Sequence, residues 1–221
     1  DKMLRYKITV LFILLISICT FNFVEAGTNE LPLLGKVIYL DPGHGGLDPG
    51  AMYKNIKEKN INLQISKNLE KRLTKLGAIV YLTRYDDYDL SVNNTINRKR
   101  SDLSRRGNII NKSDCDLFLS IHLNAENTGI WKGAQTFYNT NNKENKKIAE
   151  LLQQQFKEDL NSKRKAKNKN DLYLQKRINR PGVLIEVGFL SNASERYLLK
   201  QEKYQDKVTL SIANALLKYF K

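Results

Sequence analysis

Val37-Ile38-Tyr39-Leu40-Asp41-Pro42-Gly43-His44-Gly45-Gly46 joins an apolar, β-branched run to a loop whose prolines and glycines stop it continuing as strand or helix. The run reads as a buried strand from Lys36 to Leu40. The loop, which extends to Gly50, lets backbone approach a ligand closely. It also carries one of only 2 histidines in the chain. The other, His122, ends a second apolar run, Leu117-Phe118-Leu119-Ser120-Ile121. Both imidazoles are therefore expected where a buried strand gives way to a loop, the edge at which open α/β sheets place their chemistry.

The pattern continues outward from these two runs. Ile61, Ile65, Leu69, Leu73 and Leu76 recur at helical spacing from about Lys57 to Leu76, with Gly77 as the stop and Glu58 in the first turn on the inward face. Ala78 to Thr83 reads as a strand, Arg84 to Arg98 as a polar loop, and Leu103, Ile109 and Ile110 as part of a helix ending near Lys112. Asp116 to Ile121 has the near-continuous apolarity of a strand buried on both faces. A strand over Gly133 to Tyr138, a helix over Lys146 to Leu160 and a solvated basic loop over Asn161 to Asn170 follow. Val183 to Val187 returns to the buried-strand pattern, Gly188 to Asn192 reads as a loop, and helices close the chain at Ala193 to Leu199 and Lys203 to Tyr219. Strands alternating with helices predict a single α/β domain: a mostly parallel twisted sheet, helices on both faces, and a site at the carboxyl ends of the strands.

A formal charge of +14 favours polyanionic surroundings, of which nucleic acid and an anionic cell wall are two. The N-terminus chooses between them. Lys2, Arg5 and Lys7 precede an apolar run from Ile8 to Cys19, and Val24-Glu25-Ala26 offers a cleavage site, so residues 1–26 read as a signal peptide or an uncleaved membrane anchor. Residues 27–35 then form a tether and 36–221 the functional domain, exported across the cytoplasmic membrane. Ile18 stands where lipidation of Cys19 needs a small residue, which leaves Cys115 as the only mature cysteine and no internal disulfide. A nucleic-acid binder would require the signal to be wrong, and the basic residues are not interleaved with stacking aromatics.

The chemistry falls to few residues. His44, Glu58 and His122 can converge at the carboxyl edge of the sheet, and two imidazoles with one carboxylate are a standard open zinc set. Each has a plainer reading, the histidines as satisfied loop or core residues and Glu58 as a partner of the helix dipole. Zinc held by three protein ligands keeps a fourth position for water and lowers its pKa to about 7. Glu186, flanked by Leu184, Ile185, Val187 and Phe189, is either turned to water on an edge strand or buried facing the metal as the acid/base. Asn124 and Asn192 are candidates to bind substrate or orient other groups, although turn formation explains them as well. Arg84 and Arg106 are candidates to meet substrate carboxylates. The run from Lys163 to Lys169 reads as a solvated face, with loose attraction to anionic polymer as a secondary reading.

Taken together, VIYLDPGHGGLDPGA, EKNINL, FLSIHLNA, GAQTFY and PGVLIEVGFLSN resemble, in order and over Lys36 to Phe220, the zinc-dependent N-acetylmuramoyl-L-alanine amidases of bacteria. The resemblance implies that His44, Glu58 and His122 are zinc ligands and that Glu186 is the catalytic glutamate. It implies cleavage of the amide between the lactyl group of muramic acid and L-alanine of the peptidoglycan stem peptide. Too few residues separate His122 from Glu186 for the inhibitory helical insertion of some relatives, and no wall-binding repeats are expected. A signal segment with a bare catalytic domain is most similar to the germination-specific branch, which implies spore cortex as substrate, muramic-δ-lactam as the eventual product and the wall or intermembrane space of the forming spore as the location. The resemblance leaves open a regulatory protein partner. Val92 to Arg100 and the basic segment near Lys165 depart from the common pattern. The rival reading is a wall-binding or scaffolding protein with a degenerate zinc site.

Overall fold

The computed structural model describes residues 31–221, with Met3 the single described position nearer the N-terminus. The expected signal or anchor segment over 1–26 lies outside the described residues. Among them, no helix is long and apolar enough to cross a membrane.

Strand β1 (Val37–Pro42) leads through a small hairpin, β2 (Met52–Tyr53) and β3 (Ile56–Lys57), into helix α1 (Glu58–Lys75) and strand β4 (Ile79–Leu82). Helix α2 (Arg98–Lys112) and strand β5 (Leu117–Asn124) follow, then β6 (Gln135–Tyr138), α3 (Glu144–Leu160), β7 (Lys167–Asn168) and α4 (Tyr173–Arg177). Strand β8 (Gly182–Phe189) and helices α5 (Ala193–Leu199) and α6 (Glu202–Tyr219) complete the chain. The 6-stranded sheet has the order β4-β1-β5-β8-β6-β7. Pairing is parallel from β4 to β8 and between β6 and β7, while β6 runs antiparallel to β8. This is the mixed, mostly parallel α/β sheet that strand and helix alternation predicts, with β1, β5 and β8 in its interior.

Its two faces are covered unequally. Ile61, Ile65, Leu69 and Leu73 of α1, Ile148, Leu152 and Phe156 of α3 and Val208, Ile212 and Leu216 of α6 pack with Ile38, Leu40, Leu119, Ile121, Val183 and Ile185 into the main core. Each such fully buried side chain stabilises the fold by about 1.5–3 kcal/mol. On the other face Ile110 of α2, Leu174 of α4 and Ile178 just after it lie over Cys115 and Phe118, a much smaller cluster. That thin cover is what leaves room for a cleft.

Four local expectations differ from the structure. The tether over 27–35 gives way to folded chain by Leu31: Leu33 is fully buried in the main core and its N–H donates to the Leu76 carbonyl at 2.9 Å. Leu31-Pro32-Leu33-Leu34-Gly35 is a short apolar stretch broken by proline and glycine, too short to show a period, so nothing in the pattern marks Leu33 as core. Strands β5 and β8 outrun their apolar runs: His122 lies within β5 rather than in the loop beyond it, opposite Glu186, which lies within β8 as its apolar run predicts. Ladder hydrogen bonds continue where hydrophobicity stops, with a register irregularity between His122 and Asn124. The basic loop contains the two-residue edge strand β7, and α4 forms where the sequence shows too short a pattern to read.

Candidate metal centre and active site

His44 leaves β1 in a left-handed backbone conformation, φ 63°, which costs a non-glycine residue on the order of 1–2 kcal/mol. Its surroundings hold it there. Arg106 Nη2 donates to the His44 carbonyl at 2.6 Å and Arg106 Nη1 to the Pro42 carbonyl at 2.8 Å. Arg84 adds bonds to the carbonyls of Pro42 and Gly43, both at 3.0 Å. His44 Nδ1 lies 2.8 Å from Asp48 Oδ2, a hydrogen bond that leaves Nε2 as the nitrogen facing Glu58, 3.2 Å from its Oε2.

Glu58 is the first residue of α1 and is only 3% exposed. Its Oε2 accepts from the Ala51 N–H at 2.7 Å, and its Oε1 from the Leu123 N–H at 3.0 Å and Asn62 Nδ2 at 3.2 Å. His122 Nδ1 stands 3.1 Å from the same Oε1. Burial pushes the Glu58 carboxyl up, but hydrogen bonds and charge from His122 and His44 prevail and hold it below its ordinary range, ionised. For His44 burial works downward, yet Asp48 and Glu58 raise it to about 9. The two imidazoles meet edge to face with ring centroids 5.0 Å apart.

One donor atom from each of His44, Glu58 and His122 lies within 4.8 Å of the others. An imidazole–imidazole–carboxylate set, with the carboxylate already ionised and one ring oriented by an outer carboxylate, fits the donor chemistry of zinc. Asp48, which supplies that outer contact, went unsingled in the sequence; its signal is its place four residues after His44 in the same loop.

Glu186 pairs with His122 across β5 and β8. Its Oε2 is shielded from solvent and has no hydrogen-bond partner. Burial first, and then the negative charge of Glu58, raise the carboxyl to about 7 against the opposing pull of His122. A carboxyl so placed can hold or release a proton near neutrality. It shares with His44, His122, Asp48, Tyr173 and Leu184 the lining of a cavity of about 240 Å³.

The pattern that builds this arrangement is shared: a family model described as N-acetylmuramoyl-L-alanine amidase matches residues 38–218. The chain belongs to that family. It is 44% identical over 216 residues to the germination-specific N-acetylmuramoyl-L-alanine amidase of Bacillus subtilis, covering 95% of this chain and 91% of that protein. It is 32% identical to the Bacillus subtilis amidase LytC over 87% of this chain, but over only 38% of that longer protein. Among solved structures, the CwlD amidase of Clostridioides difficile in complex with the GerS lipoprotein is 40% identical with a TM-score of 0.79, covering 83% of this chain and 98% of that one.

In this amidase three of the polar residues expected near substrate do other work. Arg106 is 1% exposed and gives its donors to Asp41, Asp102 and the carbonyls of Pro42 and His44, so it clamps the His44 loop at the wall of the cavity. Arg84, fully buried, bonds the carbonyls of Pro42, Gly43 and Lys59, and burial together with the charge of Arg106 lowers it to about 10. Asn192 caps α5, accepting from the N–H groups of Ser194 and Glu195. Buried guanidinium groups need carbonyls and carboxylates around them, and a loop turning on prolines and glycines supplies unpaired carbonyls. Asn124 alone lines a groove, beside Trp131 and Phe189.

Proposed function

We propose that the chain hydrolyses the lactyl–L-alanine amide of peptidoglycan at the His44, Glu58, His122 and Glu186 constellation, with one zinc ion as cofactor. The observation that carries this reading is the convergence of three donor atoms within 4.8 Å beside a carboxyl whose Oε2 lacks any partner. Zinc bound there supplies Lewis acidity for the scissile carbonyl and lowers the pKa of water. His44 and His122 hold it as neutral ligands and Glu58 as an anionic one, while Asp48 fixes the His44 ring. Glu186 accepts a proton from the attacking water through its free oxygen. It then delivers that proton to the alanine nitrogen as the carbon–nitrogen bond breaks, giving a lactyl carboxylate and a free amine.

The substrate we assign is spore-cortex peptidoglycan, supported by identity to a germination-specific relative. Residues 1–26 act as signal or anchor, and the catalytic domain spans 36–221 with the preceding turn from Leu31 packed into it. Export then delivers the domain to the wall or the intermembrane space of the forming spore. A protein partner fits the same reading, since a structural relative is solved with a lipoprotein. Metal analysis combined with mass spectrometry of fragments released from cortex and vegetative wall tests this function. One zinc per chain and stem peptides with free L-alanine amines, richest from cortex, are expected. Zinc-free, inert protein that still binds wall would establish the scaffolding role instead.

A further inference from the structure

Beyond Glu186 the active-site face of the sheet runs on into a second depression. Gln135 of β6 lies beside Glu186, Phe137 lies beside Leu184, and Lys167 of the edge strand β7 lies beside Phe137. The depression, about 850 Å³, is walled by Trp131, Phe137 and Phe189 and carries Arg164, Lys167 and Lys169. The loop bearing the cations is tied to the sheet, because Gln135 Nε2 donates to the Lys165 carbonyl at 2.9 Å.

Arg164 is the ordered centre of this surface. Its guanidinium sits 4.7 Å from the ring centroid of Trp131 and 4.8 Å from that of Phe189. Its Nε donates to the Lys132 carbonyl at 3.0 Å, and among the described residues no hydrogen bond engages its two terminal nitrogens. A planar fork held between two rings with its outer edge free is prepared for a carboxylate. Lys169 stacks over Phe137 at 5.7 Å, and Lys167 is exposed alongside. Glu126 and Asp171 also line the groove, but Glu126 is turned back to accept from the Thr128 N–H and hydroxyl.

Position matches this chemistry. Phe189 lies three residues beyond Glu186 on the same strand, about 10 Å along an extended backbone. A peptide leaving the scissile amide in extended form covers that distance in about three residues. We propose that the Arg164, Lys167 and Lys169 groove binds the carboxylates of an acidic stem peptide downstream of the cleaved bond and so sets the enzyme's preference for unamidated stems. This rests on the peptidoglycan amidase reading above.

Trp131 is the only tryptophan of the chain, so its fluorescence reports from this groove. The test titrates the full chain with free L-alanyl-γ-D-glutamyl-diaminopimelate and with the same tripeptide amidated at its side carboxylates, following Trp131 emission and heat, and in parallel measures muropeptide hydrolysis. The acidic peptide should bind about tenfold or more tightly than the amidated one, the scale of one charge-assisted pair. R164Q and the double variant K167Q/K169Q should each lose most of that difference, and the loss should fall on KM for acidic muropeptides more than on kcat. Equal binding of the two peptides, unchanged discrimination in the variants, or a Trp131 response to peptide-free glycan instead would overturn the subsite. Hydrolysis without discrimination sinks this inference and leaves the amidase reading standing. Charge-dependent peptide binding without hydrolysis does the reverse.

Discussion

Glu186 stands beside His122 across the parallel pair of β5 and β8, yet its Oε2 is enclosed without a hydrogen-bond partner. A fold stabilises little by burying a lone carboxyl, so this oxygen is kept for a group that arrives with substrate. E186Q preserves shape and removes the acid/base function. Its zinc content should equal that of the parent while turnover falls by about 10²–10⁴-fold, read by metal analysis and by chromatography of released stem peptides. Parent-like turnover would remove Glu186 from the chemistry.

Asp48 acts through His44. Its Oδ2 holds His44 Nδ1 at 2.8 Å, and its Oδ1 accepts from the Gly50 N–H at 3.0 Å, so one carboxylate fixes both the ring and the loop. D48A should weaken zinc binding by about 10–100-fold, the usual effect of losing an orienting carboxylate. Chelator competition measures this directly. Unfolding of the metal-free protein should change far less, because Asp48 is about one-third exposed. Undiminished zinc affinity in D48A would show that the ring is fixed by packing alone.

Much of this was legible in the sequence because the signals were strong and local. Alternating apolar runs and helical stripes predict the α/β sheet, and two histidines after apolar runs mark the candidate donors that the fold brings together with Glu58. What stayed hidden depends on contacts across the chain. Arg106 reads as one more cation in a basic protein, and only the fold brings Asp41 at the end of β1 and the His44 carbonyl, three residues on, into its reach. Leu33, β7 and α4 are too short to show a period, and Asn192 looks the same as a cap or as a ligand until α5 is seen to follow it.

The Arg106–Asp41 pair carries a pH prediction. Asp41 is 1% exposed; burial pushes its carboxyl up, but the charge of Arg106 and hydrogen bonds from Ser120 and Thr83 outweigh this and hold it below the usual carboxylate range. In acid the unfolded chain therefore takes up this proton more readily than the folded one. The resulting stability is fully present above the unfolded carboxylate pKa of about 4 and is lost as pH falls through the folded value. R106M leaves the buried carboxylate without its ion-pair partner, at a cost of about 3–5 kcal/mol. Urea unfolding at neutral pH should show that cost, and acid unfolding followed by circular dichroism should begin at higher pH than in the parent. An unshifted acid transition would mean that Ser120 and Thr83 suffice.

Gly43 shows how closely the loop is fitted to the second histidine. A Cβ at this position would lie 2.2 Å from His122 Cε1 and 2.5 Å from Nε2, far inside contact distance. The backbone cannot retreat easily, because the Gly43 N–H donates to the Ile121 carbonyl at 2.9 Å and the Gly43 carbonyl accepts from Arg84 at 3.0 Å. In G43A the ring must therefore move, and with it the nitrogen that faces Glu58. Zinc affinity should fall along with activity, while overpacking costs about 1–3 kcal/mol of stability. Gly35 provides the contrast: its φ of 76° strains an added side chain, but nothing lies within 4 Å. G35A should lose about 1 kcal/mol and bind zinc as the parent does. Chelator titrations of the two variants separate the effects, and equal zinc affinity in both would show that His122 tolerates displacement without loss of the metal centre.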